Sequence, residues 1–305
     1  MAKYRSNLPQ VNGKTLLTDG GLETVMIFHE GIELPEFASF SMLNSEEGRQ
    51  KLRDYFTSYD NIARKHETGM LLESPTWRAC QDWGVRLCLS RTEIEAANRD
   101  AISFLEDIPD AHETAASPMV IGGCLGPRDD GCDPGTLMTV AEARSYHAHQ
   151  IRILADTAAD MISALTMNNV EEATGVALVA RDAEIPAAIG FTVETDGLLP
   201  TRQPLKEAIA EVDHATDAYP AYFMINCAHP THFKHVLNGL DRVQGLRANA
   251  SSCNHEELDD GNPAELGQQF ADLIRDNPQL TVVGGCCGTD HRHIAEIGQV
   301  TRAAA

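Results

Sequence analysis

Three cysteines could do chemistry together. Cys227 lies in the run MINCAHP, and Cys286 and Cys287 stand side by side in VVGGCCGT, each run closing an apolar stretch of strand character. Thiolate sulfur binds Zn2+ at about 2.3 Å, and a catalytic zinc takes three protein ligands and keeps a fourth position open. Three thiolates more than offset the charge of Zn2+, so such a site is a poor generator of hydroxide from water. An incoming thiol behaves differently. Its free pKa is about 8.5, and coordination removes its proton outright. A site of this kind suits alkyl transfer to sulfur. Gly284, Gly285 and Gly288 around the pair let the backbone fold tightly enough to aim neighbouring residues at one ion. The spacing matches no zinc-ribbon pattern, and cysteine is among the most often buried residue types, so ordinary core thiols are the competing reading. The fold decides between them.

Short apolar runs ending in small or polar residues alternate with longer amphipathic segments. The runs 15–20, 69–74, 118–123, 160–166, 187–193, 221–227, 245–250 and 280–286 are predicted strands. Helical patterns fill the gaps, among them 46–66, 92–105, 140–158 and 204–218. Ser45 opens the first of these, and Ser90 with Glu93 forms a capping box before the second. Strand alternating with helix predicts a parallel sheet. Eight such units without a composition shift fit the α/β class and a single closed (β/α)8 TIM barrel, with 1–305 as one domain. An open dinucleotide-binding sheet would want G-x-G-x-x-G after its first strand, and Asp19-Gly20-Gly21-Leu22-Glu23-Thr24 is not that. In a barrel the chemistry sits where the strands end. Strands six and eight flank strand seven, so the three sulfurs can converge. Other strand-end residues are Asp19, Glu23, Glu73, Trp77, Cys124, Asn226 and Asn249.

The chain has 305 residues, with 24 Lys+Arg against 45 Asp+Glu and a formal net charge of −21. An excess of acid repels nucleic acid and anionic membranes, because affinity for either rests on Lys and Arg. No apolar stretch approaches the roughly 20 residues of a membrane helix, and MAKYRSNLPQ lacks the apolar core of a signal peptide. A cytoplasmic protein with reduced thiols is expected. No lysine falls at a strand end, which argues against a Schiff-base barrel.

The runs TDGGLET, GGCLGP, INC and GGCC, spread over nearly the whole chain, resemble the homocysteine S-methyltransferases. These are zinc-dependent barrels that include S-methylmethionine- and betaine-dependent enzymes. The resemblance implies that Cys227, Cys286 and Cys287 hold Zn2+ and are catalytic. The acceptor thiol is then the fourth ligand and attacks a methyl group on a small sulfonium or quaternary ammonium donor. It further implies that Asp19 helps to bind the acceptor's amino group, with the backbone near Gly20 and Gly21 at its carboxylate. Homocysteine is the leading acceptor, with methionine as product.

Two positions depart from the family. Leu165 stands where a glutamate usually pairs with that amino group, and Glu73 stands where a hydroxyl is more common. A buried ammonium without a carboxylate is costly. Either Glu73 supplies the missing charge, or the acceptor is a different thiol with no amino group there. Trp77 could give the donor an aromatic face, for roughly 0.5–2 kcal/mol, or could pack between loop and helix. Asn226 is a candidate at the substrate, or a residue that shapes the strand end by hydrogen bonding. The expected partners are a small-molecule thiol acceptor and a small methyl donor, with no nucleic acid and no membrane; a homo-oligomer stays open. Cys80, Cys88, Cys124, Cys132 and Cys253 read as core or loop thiols, and His291 and His293 as solvent-facing residues opening the last helix. A zinc- or thiol-binding barrel without turnover is the non-enzyme alternative.

Overall fold

Eight parallel strands close on themselves in sequence order. They are β1 Leu16–Leu17, β2 Gly69–Glu73, β3 Met119–Leu125, β4 Met161–Met167, β5 Ala187–Phe191, β6 Tyr222–Ala228, β7 Val243–Ala248 and β8 Val282–Gly285. The computed structural model describes residues 2–253 and 259–304. Leu16 pairs with Gly69 on one side and Val282 on the other, which closes the ring. The fold is the expected (β/α)8 TIM barrel, and each predicted run supplies one strand. β1 is only two residues long because the chain parts from β2 after Leu17. It stays on β8, where Thr18 N–H donates to Val283 O at 3.0 Å and Gly285 N–H to Asp19 O at 3.0 Å. That asymmetry delivers Asp19 to the mouth beside β8.

Helices Glu46–Lys65, Arg91–His112, Val140–Ala155, Val170–Asp182, Leu205–Thr216, Pro263–Asp276 and His291–Ala304 wrap the outside, while the β6–β7 connection carries a single turn, Pro230–Phe233. Ser45 Oγ accepts from Gly48 N–H at 3.0 Å, and the Ser90–Glu93 capping box is formed. Each cap is worth about 1 kcal/mol. The helix expected to end at 105 runs on to His112 through Pro109, because Ile108 continues its buried stripe. No helix among the described residues is long and apolar enough to cross a membrane.

Side chains alternate across the barrel wall. Outward residues such as Leu17, Leu72, Ile162 and Phe223 join the main core beneath the helices. Inward residues Leu16, Leu71, Val120, Met161, Tyr222 and Val282 fill the lower barrel. Gln10 closes its floor, with Nε2 at 3.2 Å from Met161 Sδ. Above this apolar plug the inward positions are Glu73, Ser163, Asn226 and Arg247, all buried. Room for them comes from small neighbours. A Cβ at position 122 would lie 2.3 Å from Glu73 Oε2, and one at 190 would lie 2.6 Å from Asn226 Oδ1. The polar end of the barrel is thus the end where the strands finish.

Candidate metal centre

Strict alternation along β6 would turn Cys227 away from the barrel interior, because Met224 and Asn226 face inward. The register against β7 slips between Asn226 and Ala228, and Cys227 adopts φ +56°. A non-glycine residue in that left-handed region is uncommon, and a bulge of this kind re-aims a side chain. Asn226 holds the distortion. Its Oδ1 accepts from Thr166 N–H at 2.8 Å and its Nδ2 donates to Thr166 Oγ1 at 2.9 Å. Thr166 itself has φ +63° at the matching irregularity of β4. The carboxamide of Asn226 therefore clamps two bulged strand ends together across β5.

Cys286 and Cys287 follow β8. Cys286 N–H donates to Ala248 O at 2.8 Å, and Ala250 N–H donates to Cys287 O at 3.0 Å, which carries the β7–β8 ladder past the thiols. Gly288, at φ +76°, then lets the chain turn back, with Thr289 N–H on Cys286 O at 3.1 Å. Gly21 crosses this turn so closely that a Cβ there would stand 2.6 Å from Cys286 O. Its own N–H donates to Thr289 O at 3.0 Å. Gly20 is packed against Thr289 O and the Tyr59 hydroxyl.

The three sulfurs converge. Cys227 Sγ lies 3.6 Å from Cys287 Sγ, Cys287 lies 4.0 Å from Cys286, and all three are within 4.8 Å of one another. Tetrahedral thiolates at about 2.3 Å from one ion stand about 3.8 Å apart, so this donor set fits zinc in type and spacing. Cys227 is buried, and Cys286 and Cys287 are half-buried. Hydrogen bonds from Cys227 and Cys287, with help from the charge of Arg247, hold the Cys286 thiol well below the usual range. Asn249 Nδ2 approaches Cys227 Sγ at 3.8 Å.

A charged layer lies beneath and beside the thiols. Arg247 Nη2 is 2.5 Å from Asp19 Oδ1, and its Nη1 is 3.9 Å from Glu73 Oε1. Tyr55 OH donates to the other Asp19 oxygen at 3.0 Å. Burial pushes the Asp19 carboxyl up against the opposing pull of Arg247 and Tyr55. Burial likewise pushes Glu73 up to about 7, again against Arg247. Among the described residues, Glu73 Oε1 and Oε2 and Arg247 Nη1 are buried without a hydrogen-bond partner. Glu23 Oε1 accepts from Ser39 Oγ at 2.7 Å, and no cation among the described residues pairs with it. Burial raises its pKa, and the charges of Asp19 and Cys286 add to the rise.

Leu165 belongs to the apolar cluster inside the barrel, next to Cys124. Trp77 donates from Nε1 to Leu165 O at 3.3 Å, and its ring carries the Arg78 guanidinium at 4.1 Å. Arg78 also lies 3.5 Å from the Trp83 ring centroid, so two tryptophans sandwich one cation. One face of Trp77 is already occupied. His293 corrects an expectation. It is fully buried, with Nδ1 at 3.1 Å from the Asp290 carboxylate and Nε2 at 2.7 Å from Asp260 O, because Asp260, between β7 and the helix Pro263–Asp276, reaches over it. His291 is exposed as expected.

Sequence reasoning overlooked Arg247 and Cys132. For Arg247 a signal existed: in Gly245-Leu246-Arg247-Ala248, alternation turns 245 and 247 the same way, so an inward arginine demands buried carboxylates. Cys132 had none, because its position depends on loop geometry. Hydrogen-bonding influence from Cys132, followed by that of Cys286 and Cys287 and by burial, pushes the Cys227 thiol well above the usual range.

A sequence-family model described as homocysteine S-methyltransferase matches residues 16–301. No curated protein matches the chain in sequence. Among solved structures, the homocysteine methyltransferase MmuM from Escherichia coli in its oxidized form is 18% identical, with a TM-score of 0.78 and 97% of this chain and 98% of that chain covered. The metallated form is 17% identical with a TM-score of 0.75, covering 96% and 98%. At that identity the likeness is one of fold.

Proposed function

From the membership of this chain in the homocysteine S-methyltransferase family, which the match over residues 16–301 shows, we propose a zinc-dependent transfer of methyl from a small sulfonium or quaternary ammonium donor to homocysteine, giving methionine. The observation that carries this reading is the convergence of Cys227, Cys286 and Cys287 within 4.8 Å at the open end of the barrel. Those three residues would hold Zn2+. Bound there, Zn2+ would supply a thiolate nucleophile near neutral pH from a thiol whose free pKa is about 8.5.

The chain's own residues do the rest. Asp19 and Glu73 flank one guanidinium, Arg247, and Glu23 stands on Ser39 with no ion-pair partner among the described residues, so the mouth keeps an excess of negative charge. An excess of this sign favours the acceptor's ammonium and a cationic donor. Because Arg247 and Tyr55 already engage both oxygens of Asp19, ammonium recognition falls to Glu23 and Glu73, with Asp19 contributing at longer range. This redistribution compensates for Leu165. Gly20 and Gly21 line the acceptor's side of the site, and Trp77 borders it over Leu165. Asn226 acts one step back, by fixing the bulge that aims Cys227.

The test is mass spectrometry of methylated products from zinc-loaded protein given a panel of onium donors and thiols. Methionine from homocysteine and at least one small onium donor is the expected result. Bound zinc with no methylated thiol from any pair would favour a binding protein, and no bound zinc would overturn the metal assignment.

A further inference from the structure

Arg78, in the loop after β2, is a buried cation with little to neutralise it. Its Nη1 donates to Asp129 O at 3.0 Å, and its Nη2 reaches Asp130 Oδ2 only at 3.4 Å, on a carboxylate that is itself 59% exposed. Its Nε is buried without a hydrogen-bond partner among the described residues. A buried charge so poorly paired is costly. The rings of Trp77 and Trp83, at 4.1 and 3.5 Å from the guanidinium, stand where a carboxylate would be expected. Both indoles are fixed. Trp83 Nε1 donates to Arg128 O at 3.1 Å, and Trp77 Nε1 is tied to Leu165 O. Gly126 backs the Trp77 ring so closely that a Cβ would lie 2.6 Å from Nε1, and Gly126 N–H donates to Trp77 O at 3.1 Å. With Arg78 on its loop side, half-buried Trp77 packs on the apolar cluster inside the barrel that holds Leu165 and Cys124.

We propose that Arg78 is a positioning residue for the methyl donor: it fixes Trp77 at the mouth, and its charge bears through that ring on an onium group seated on the barrel side. The inference rests on the methyl-transfer reading above. During transfer the methyl carbon leaves the donor's sulfur or nitrogen for the acceptor's sulfur. The electron pair of the broken bond stays on the donor, which departs neutral, and the thiolate's charge is consumed in the new bond. The donor's positive charge is therefore complete in the bound state and fading in the transition state. A fixed cation behind the ring opposes the first more than the second, so it raises kcat at the expense of donor affinity. The neutral product feels no such opposition and none of the attraction that holds a cation to the ring.

Binding of tetramethylammonium and of tert-butanol, a neutral molecule of similar shape, tests this on the full chain. The readouts are calorimetry and quenching of Trp77 and Trp83, the only tryptophans of the chain. Arg78→Gln keeps a planar group between the indoles, Arg78→Met keeps length without charge, and Arg78→Lys keeps the charge. The two neutral variants should bind tetramethylammonium about three- to tenfold more tightly than wild type, and tert-butanol equally, while Arg78→Lys follows wild type. With the donor that yields methionine, kcat and the donor KM should both fall by about the same factor in the neutral variants, so kcat/KM changes less than either. Lost packing alone would not tell the two probes apart. Equal tetramethylammonium affinity in wild type and a neutral variant, or a donor KM that rises, would overturn the inference and leave the methyl transfer standing. No methylated thiol from any donor would overturn the proposed function, while the probe pair still reads the charge behind Trp77. One folded neutral variant is enough to decide.

Discussion

Arg247 on β7 and Asp19 after β1 meet across β8, Nη2 to Oδ1 at 2.5 Å, with both side chains buried. The contact passes over Gly284 and Gly285, and Arg247 Nε donates to Gly285 O at 3.1 Å. One ion pair thus ties the barrel's closing seam to the candidate site. It also neutralises a buried carboxylate at the mouth of the barrel.

Arg247→Met should destabilise the fold by about 3–5 kcal/mol, since removing one partner of a buried pair strands the other charge. Adding Asp19→Asn should recover most of that loss, because the stranded charge goes with it. Urea unfolding of the two single variants and the double variant measures the coupling. A double variant no more stable than Arg247→Met would show that the pair does not act as a unit.

Glu73 makes stability depend on pH. Its folded pKa is about 7 against an ordinary 4.5, so the folded state holds the proton longer than the unfolded chain does. The stability associated with its neutral form is full below pH 4.5 and is lost as pH rises through the folded value. Glu73→Gln cannot ionise and escapes that loss. Its stability relative to wild type should climb across this window by about 3 kcal/mol, the shift multiplied by roughly 1.4 kcal/mol per pH unit. Parallel melts at pH 4 and pH 8 that differ equally would contradict the assignment.

The barrel was legible because period-two apolar runs and capped amphipathic segments repeat around the whole ring, and each unit needs its neighbours to bury its faces. The thiol trio was legible for the same reason, since strand order alone places the ends of β6 and β8 either side of β7. What stayed hidden depends on departures from the period. Cys227 points to its partners through a bulge at φ +56°, and strict alternation would have placed it on the other face. Cys132 depends on Asn168 anchoring a loop from a neighbouring strand. His293 looked like a solvent-facing residue because nothing local shows that Asp260 O will reach over it.

Asn226→Ala should weaken zinc binding by about 10–100-fold, the range seen when a residue that orients a ligand is lost. Nothing then holds Thr166 and Cys227 in their left-handed conformations, and the thiol loses its aim. Competition with a chromophoric chelator gives the affinity. Overall helicity should be retained, because among the described residues the Asn226 side chain bonds only to Thr166. Unchanged zinc affinity would show that the strand ends hold their shape without the carboxamide.

The proposed function divides recognition of the acceptor's ammonium between Glu23 and Glu73, and kinetics can separate them. Glu23 reaches the mouth with one oxygen on Ser39 and no cationic partner among the described residues. A charge-assisted hydrogen bond contributes about 1.5–3 kcal/mol, so Glu23→Gln should raise KM for homocysteine by about 10–100-fold and leave kcat close to wild type. A thiol acid of the same length without the amino group should bind both proteins equally, because the lost contact is to the ammonium. Glu73→Ala should give a smaller rise in KM, since that carboxyl is half neutral near pH 7 and faces Arg247. If both variants keep the wild-type KM for homocysteine, and the thiol acid is the better substrate of wild type, the acceptor is a thiol that carries no ammonium. The role of Leu165 would then be to admit an uncharged chain at the place where this family usually seats a cation.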